Sequence, residues 1–363
     1  VVDTERAVHK GRAATRNMPG RFERESRPLE PEIAHERRRT RVGADRSRTI
    51  IATNTSPDVG FDRSINTYRG CEHGCIYCYA RPTHAYLGLS PGLDFETELF
   101  AKHDAATRLE AAFRQRRYRP APLQLGGVTD VYQPVERELR ITRRVLEVLL
   151  AWRHPVQIVT KSAGVLRDLD LLAELAALDL AVVDVSITTL DGELARRMEP
   201  RASTPQRRLE AVAALAAAGV PTGVAVAPVI PGLTCHELER ILRAAAEAGA
   251  ESAFWVLLRL PHELKELFED WLAEHRPDRR ARVMSLVRQS RGGRLNDPRF
   301  GDRMTGEGPI ARLIAARFAA ACNRFGLAGR DARRLRSDLF AAPEARAQPD
   351  LFAPTPAGAM ENG

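Results

Sequence analysis

The feature that most constrains this chain is an alternation running from about residue 64 to residue 260. Short apolar, β-branched runs recur at PLQLGGV (122–128), VQIVTKS (156–162), LAVVDVSIT (180–188), PTGVAVAPV (221–229) and SAFWVLLRL (252–260). They are continuous rather than alternating, the pattern of strands covered on both faces. The gaps hold longer segments with helical spacing, ELRITRRVLEVLLAWR, VLRDLDLLAELAAL, RRLEAVAALAAAG and HELERILRAAAEAGA, the last two stopping at Gly219 and Gly249. With a first strand at about 64–69, the pattern predicts six β/α units. A parallel sheet curved as part of a barrel is the economical arrangement, and an open doubly wound sheet is the alternative.

Unusual residues collect where the strands end. Cys71, Cys75 and Cys78 follow the first strand, and Gly126, Gly127, Thr129 and Asp130 follow the second. Thr160, Lys161 and Ser162 end the third, Ser186, Thr188 and Thr189 the fourth, Pro228 to Gly232 the fifth and Arg259 the sixth. Barrel enzymes place their chemistry at this face, which favours the barrel and predicts one mouth for every site residue.

The loop GCEHGCIYCYARP (70–82) holds three of the five cysteines. A disulfide, a zinc site, an iron–sulfur site and a redox pair are the readings to weigh. No stretch approaches the roughly 18 uninterrupted apolar residues of a membrane span, and no signal-peptide pattern precedes the fold, so the expectation is a soluble, cytoplasmic chain. A reducing compartment and an odd cysteine count argue against a disulfide framework. Structural zinc asks for four ligands, usually as two close pairs, and no second CxxC or HxxxH is present. His73 is the one candidate for a fourth ligand inside the loop, while Cys235 and Cys322 stand alone and read as small buried apolar residues. Three thiolates are what a 4Fe–4S cluster has when one iron is left for a non-protein ligand.

C-x3-C-x2-C after the first strand of a β/α barrel, with an aromatic residue before the last Cys, resembles the radical S-adenosylmethionine (SAM) superfamily. CIYCYARPTHAYLGL, DFETELFAK, TDVYQP, IVTKS, SITTLD, MEPRASTPQRRLEA, VAPVIPGLT and LRLP resemble, more closely, its DNA-repair-photolyase-like branch related to spore photoproduct lyase. The resemblance implies an α/β fold, a partial (β/α)6 TIM-like barrel of the radical SAM type with a helical C-terminal extension. It implies Cys71, Cys75 and Cys78 as ligands of a 4Fe–4S cluster, S-adenosyl-L-methionine on the remaining iron, and Tyr77 beside the adenine. Gly126 and Gly127 match the family's glycine turn for the cofactor's amino group. Thr129 and Asp130 stand in for the family's Glu, which is missing here. By the same analogy Lys161 and Ser186 contact the carboxylate or ribose end. Read without the family, the glycines permit a tight turn and the lysine is a solvated charge.

Charge bears on partners. The chain carries +8 at neutral pH; residues 1–48 hold 13 Lys and Arg against 8 Asp and Glu, and residues 276–303 hold nine Arg against three Asp. Such stretches read either as solvated surface or as a nucleic-acid contact. The expected organisation is a basic, disordered arm (1–50), the barrel with its iron–sulfur loop (51–260), a helical extension or lid (261–330) and a flexible tail (331–363). Leu264, Leu267, Phe268, Trp271 and Leu272 read as core. Glu199 and Arg201 are left either as a local pair or with Arg201 on the cofactor. The implied activity is radical SAM catalysis, with a reductant protein supplying one electron and a base in DNA or RNA as substrate, in a lyase-like reaction. A peptide or small metabolite is the second substrate class, and a non-catalytic iron–sulfur or nucleic-acid-binding protein the third reading. Cys235 is the candidate hydrogen donor.

Overall fold

The computed structural model describes residues 9–22, 39–329 and 335–343. Six barrel strands follow in chain order: β1 (Arg63–Ile65), β2 (Leu123–Leu125), β3 (Val156–Thr160), β4 (Ala181–Ser186), β5 (Thr222–Val229) and β6 (Ser252–Leu257). All neighbouring pairs from β1 to β6 are parallel and adjacent in sequence order. Ile51–Thr53 extends the sheet antiparallel to β1, and Ala328–Gly329 extends it beyond β6. The two edges do not pair with each other, so the barrel is partial.

Helices fill the crossovers: α1 (Ala105–Phe113), α2 (Ile141–Ala151), α3 (Leu169–Ala176), α4 (Pro205–Ala217) and α5 (Leu238–Glu247). Their apolar stripes cover the sheet because strands of Val, Ile and Leu expose apolar faces on both sides. Ile65, Leu125, Ile158, Val183 and Val224 are fully buried against Val145, Leu149, Leu172, Leu215 and Ile241. Each such side chain contributes about 1.5–3 kcal/mol by burial. Local chemistry sets the starts: Thr204 Oγ1 accepts from Arg207 N at 3.4 Å, with Pro205 opening α4. Buried Glu136 accepts from Ile141 N and Thr142 N (3.1 and 2.9 Å), capping α2 from four residues upstream.

The extension is helical, with α6 (Leu264–His275), α7 (Pro277–Gln289) and α8 (Gly308–Phe325). Leu264, Leu267, Phe268, Trp271 and Leu272 are buried, and with Val283, Met284 and Val287 they form a second core over Ile76, Tyr77 and Met198. α8 instead closes onto α5 and returns the chain to the sheet, so it belongs to the barrel layer.

The expected arm over 1–50 behaves differently where it is described. Residues 9–22 pack Ala13 and Met18 into the second core, and Glu96 accepts from Ala13 N (3.2 Å) and Ala14 N (3.0 Å). Arg41–Ala44 pairs parallel with Glu98–Ala101, and that strand pairs antiparallel with Tyr68–Arg69 in a small second sheet. These segments have no hydrophobic periodicity; backbone hydrogen bonds, Ala13 and Met18, buried Glu96 and side-chain pairs such as Arg16–Asp270 (2.7 Å) hold them. Residues 1–8 and 23–38 lie outside the described residues, as do 330–334 and 344–363 of the expected tail. Within the tail, Phe340 packs on Phe113, Tyr118, Trp152 and His154, and Ala341 N donates to Trp152 O at 3.2 Å. Among the described residues, no helix is long and apolar enough to cross a membrane.

Candidate active site

A cavity of about 400 Å³ opens at the carboxyl ends of the strands. Cys71, Cys75 and Cys78 line it together with Tyr77, Gly126, Gly127, Thr129, Asp130, Lys161 and Ser186. Every cofactor and metal residue expected from the sequence therefore meets in one place. Cys235 does not line it: its Sγ accepts from Gly232 N at 3.3 Å, at the start of α5.

The cysteine loop is held from beneath by a buried guanidinium. Arg81 donates through Nε to Cys75 O (2.8 Å), through Nη2 to Gly74 O (2.7 Å), and through Nη1 to Pro91 O and Gly92 O (3.1 and 2.8 Å). Its charge is balanced by buried Glu96, the carboxylate that also anchors residues 13 and 14. Gly74 has φ +64° and a Cβ there would come within 2.6 Å of Glu96 Oε2, so the position requires glycine. All three thiols are free. Burial pushes each of them up; the charge of Asp130 adds to the effect at Cys71 and that of Glu199 at Cys75.

Such thiols stay neutral unless a cation meets them, and a cationic iron centre reverses that preference. Among the described residues, no three His, Cys, Asp or Glu side chains are arranged to hold a single metal ion. His73 does not join the thiols: its Nδ1 lies 3.2 Å from Asp130 Oδ2. The donor set is thus three thiols on one fastened loop, facing one cavity. That fits a cluster in which each thiolate takes its own iron and not the closed four-ligand sphere of structural zinc.

Around the thiols, polar side chains are locked by the protein. The Tyr77 hydroxyl bonds Glu199 and lies 3.1 Å from Thr188 Oγ1, which fixes its ring. Lys161 Nζ sits 5.7 Å above that ring and donates to Ser186 Oγ (2.7 Å) and Ala227 O (3.2 Å). Burial lowers the Lys161 ammonium. Gly126 has φ +88°, and a Cβ would stand 2.7 Å from Val159 O, so this glycine is demanded by the turn itself.

Thr129 and Asp130, read as stand-ins for the family's Glu, line the cavity with their polar atoms already engaged. Thr129 Oγ1 donates to Gly70 O (2.7 Å) and accepts from Gln133 Nε2 (3.0 Å). Asp130 accepts from Thr160 Oγ1 (2.8 Å), Tyr132 N (2.9 Å) and Lys161 N (2.7 Å). Burial alone would raise its carboxyl, but nearby His73 and these backbone N–H groups outweigh it and hold the carboxyl at about 2. Thr129 thus ties the turn after β2 to the start of the cysteine loop, and Asp130 ties it to the end of β3.

The local pairing considered for MEPRAS is replaced by two longer ones. Glu199 pairs with buried Arg208, which also donates to Ser186 O (2.9 Å) and Ser203 O (2.7 Å). Arg201 pairs with Glu72 at 2.9 Å. Lining residues with no motif signal are Phe61, Tyr79, Phe254, Val256, Arg303 and Met304. Arg303 closes the gap between the sheet edges, bonding Asp58 and Ser56 from the loop before β1. Its place in a basic, Gly-rich stretch was the only hint.

A family model described as the radical SAM superfamily matches residues 65–245. An uncharacterised protein of Mycobacterium tuberculosis is 38% identical over 231 residues, 63% of this chain and 68% of that protein. An uncharacterised protein of Methanocaldococcus jannaschii is 27% identical over 169 residues, 47% and 61% of the two chains. Among solved structures, a spore photoproduct lyase double mutant with bound AdoMet and dinucleoside spore photoproduct aligns with a TM-score of 0.59 at 17% identity, over 85% of this chain and 88% of that one. At that identity the likeness is one of fold.

Proposed function

Because this chain belongs to the radical SAM superfamily, and its fold is that of radical SAM enzymes, we propose that Cys71, Cys75 and Cys78 hold a 4Fe–4S cluster beside bound S-adenosylmethionine. The observation that carries this reading is the meeting of three free thiols, Tyr77, the glycine turn, Lys161 and Ser186 in one cavity. When bound, the cluster supplies one electron, drawn from a reductant, that cleaves S-adenosylmethionine and yields a 5′-deoxyadenosyl radical able to take hydrogen from a substrate.

The protein's own part is binding, orientation and exclusion of water. Lys161 has three N–H donors, two of them on Ser186 and Ala227, which leaves one for an acceptor such as the cofactor carboxylate. The Tyr77 ring, fixed through its hydroxyl, supplies a flat apolar wall to the cavity. Arg81 and Glu96 keep the thiols in register by fixing the carbonyls between them. Phe61, Phe254, Val256 and Met304 give the mouth an apolar side that keeps water from a reactive carbon radical.

For the substrate, we propose a nucleic-acid base. Two arginines that line the mouth each lie over an exposed aromatic ring: Arg259 is 5.8 Å over Tyr79, itself a lining residue, and Arg303 is 4.6 Å over Phe300. Ring and guanidinium surfaces of this kind stack bases and attract phosphate. The solved neighbour holding a dinucleoside photoproduct points the same way. Cys235 lies outside the cavity and is given no role as hydrogen donor.

Anaerobic reconstitution followed by reduction with S-adenosylmethionine tests the first step, with release of 5′-deoxyadenosine expected. Damaged DNA, RNA and cell-extract fractions are then compared, with deuterium followed from labelled substrate into 5′-deoxyadenosine. Stimulation by DNA or RNA is expected. Stimulation only by peptide or small-molecule fractions would overturn the substrate class, and no 5′-deoxyadenosine under any electron donor would overturn the enzyme reading.

A further inference from the structure

We propose that Arg259 is the receptor for an oxyanion, a phosphate or carboxylate group carried by the substrate. The inference rests on the reading above only in assigning the Lys161 side of the cavity to S-adenosylmethionine.

Among the described residues, the fully buried arginines, Arg81, Arg208 and Arg291, are saturated. Arg81 has four carbonyls and Glu96; Arg208 has two carbonyls and Glu199. Arg291 donates to Leu258 O and Leu257 O at 3.0 Å each and to Arg303 O at 3.0 Å, bracketing the backbone just before Arg259. Arg303 has Asp58 and Ser56. Arg259 departs from this rule. Its Nε is buried with no hydrogen-bond partner, and Nη1 reaches only the weakly accepting Met304 Sδ at 3.5 Å. Among the described residues, no carboxylate pairs with it.

Burying a guanidinium without a carboxylate in contact is costly; Arg303 adds to the cost, and Asp58, itself paired with Arg303, offsets only part of it. Stacking on Tyr79 engages only the face of the group. The in-plane edge keeps the N–H fork that matches two oxygens of a carboxylate or phosphate. Position assigns the edge to a ligand, since Arg259 lines the cavity two residues past β6, beside Phe254 and Val256. Lys161, just past β3, lines the same cavity and is assigned above to the cofactor carboxylate, which leaves Arg259 for a second anionic group. Tyr79 is itself held, its hydroxyl bonding Gly127 O, so the platform under Arg259 cannot swing away.

The test uses the reconstituted full chain with S-adenosylmethionine bound, titrated at constant ionic strength with inorganic phosphate and, separately, with acetate. The thermal midpoint and equilibrium dialysis of labelled phosphate or acetate give the affinity. Saturable binding of one of the two anions is expected, and which one saturates tells a phosphate from a carboxylate. Arg259→Gln should weaken that binding at least about tenfold, the ordinary worth of a charge-assisted pair. Arg259→Lys, which keeps the charge and loses the fork, should fall between, and the exposed Arg288→Gln should bind as wild type. Binding by Arg259→Gln within twofold of wild type overturns the proposal, as does saturation by neither anion. If Arg259→Gln does not fold, equal binding by Arg259→Lys and wild type overturns it. Release of 5′-deoxyadenosine by the same preparation keeps the two questions apart: failure of anion binding with release intact removes only the receptor, and anion binding without release removes only the radical reading.

Discussion

At the carboxyl ends of the strands, buried Arg81 and Arg208 face buried Glu96 and Glu199 around a cavity lined by thiols. At the opposite end, His154 is buried among Phe113, Trp152 and Phe340, with Nδ1 3.0 Å from Pro155 O and Nε2 2.7 Å from the Tyr118 hydroxyl. Both ends take ionisable groups out of water. One does so with charge pairs around an opening, and the other by keeping its single base neutral under a lid of rings. The difference is chemical: a charged framework can hold a loop rigid and still leave donors for a ligand, whereas an aromatic cluster seals the barrel and offers no donor.

The comparison breaks most completely at the thiols. Cys71→Ala, Cys75→Ala or Cys78→Ala should each abolish the broad visible absorption of the iron-reconstituted protein, while Cys235→Ala and Cys322→Ala retain it. Equal loss of iron from a Cys235 variant would displace the ligand assignment.

Next in size is the charged framework. Arg81→Met leaves Glu96 buried without its cation and should lower stability by about 3–5 kcal/mol, read from urea unfolding of the iron-free chain. A loss below about 1 kcal/mol would show that water reaches the pair and that the contrast between the two ends is false.

The sealed end responds to acid. Burial lowers the His154 imidazole from its ordinary 6.5 to about 4. As pH falls the unfolded chain therefore binds the proton first, so stability from the neutral ring is complete above about 6.5 and is lost between 6.5 and 4. The loss amounts to roughly 3 kcal/mol at most. Unfolding midpoints at pH 7 and pH 4.5 should therefore differ less in His154→Gln than in wild type. An identical pH dependence in the two proteins would mean that the ring is already hydrated.

Five of the six strands were legible because each is a compact apolar run, and most of the mouth because its residues follow those runs; the first strand, expected at about 64–69, is Arg63–Ile65, with Tyr68–Arg69 in the small second sheet. The reading of Leu264, Leu267, Phe268, Trp271 and Leu272 as core holds for the same reason, since helical spacing states which face is buried. Charge partners were not legible. MEPRAS places Glu199 two residues from Arg201, yet Glu199 pairs with Arg208, nine residues away and one turn into α4, where the helix aims the guanidinium at Ser186 O and Glu199 together. Residues 9–22 were hidden in a different way. Their order comes from groups far along the chain: Glu96 accepts from the Ala13 and Ala14 amides, Asn17 bonds Asp94, and Arg16 and Arg21 pair with Asp270 and Glu263, partners that local composition does not reveal.

By itself the sequence determined the β/α order, the face on which the candidate site lies and the close spacing of its three thiols, since periodicity and short spacings are local properties. Tertiary structure alone decided that Thr129 and Asp130 brace the loop, that Cys235 stands outside the cavity and that Arg259 keeps a buried Nε with no hydrogen-bond partner. Whether a buried charge is paired depends on groups brought together from distant parts of the chain, and spacing carries no record of that.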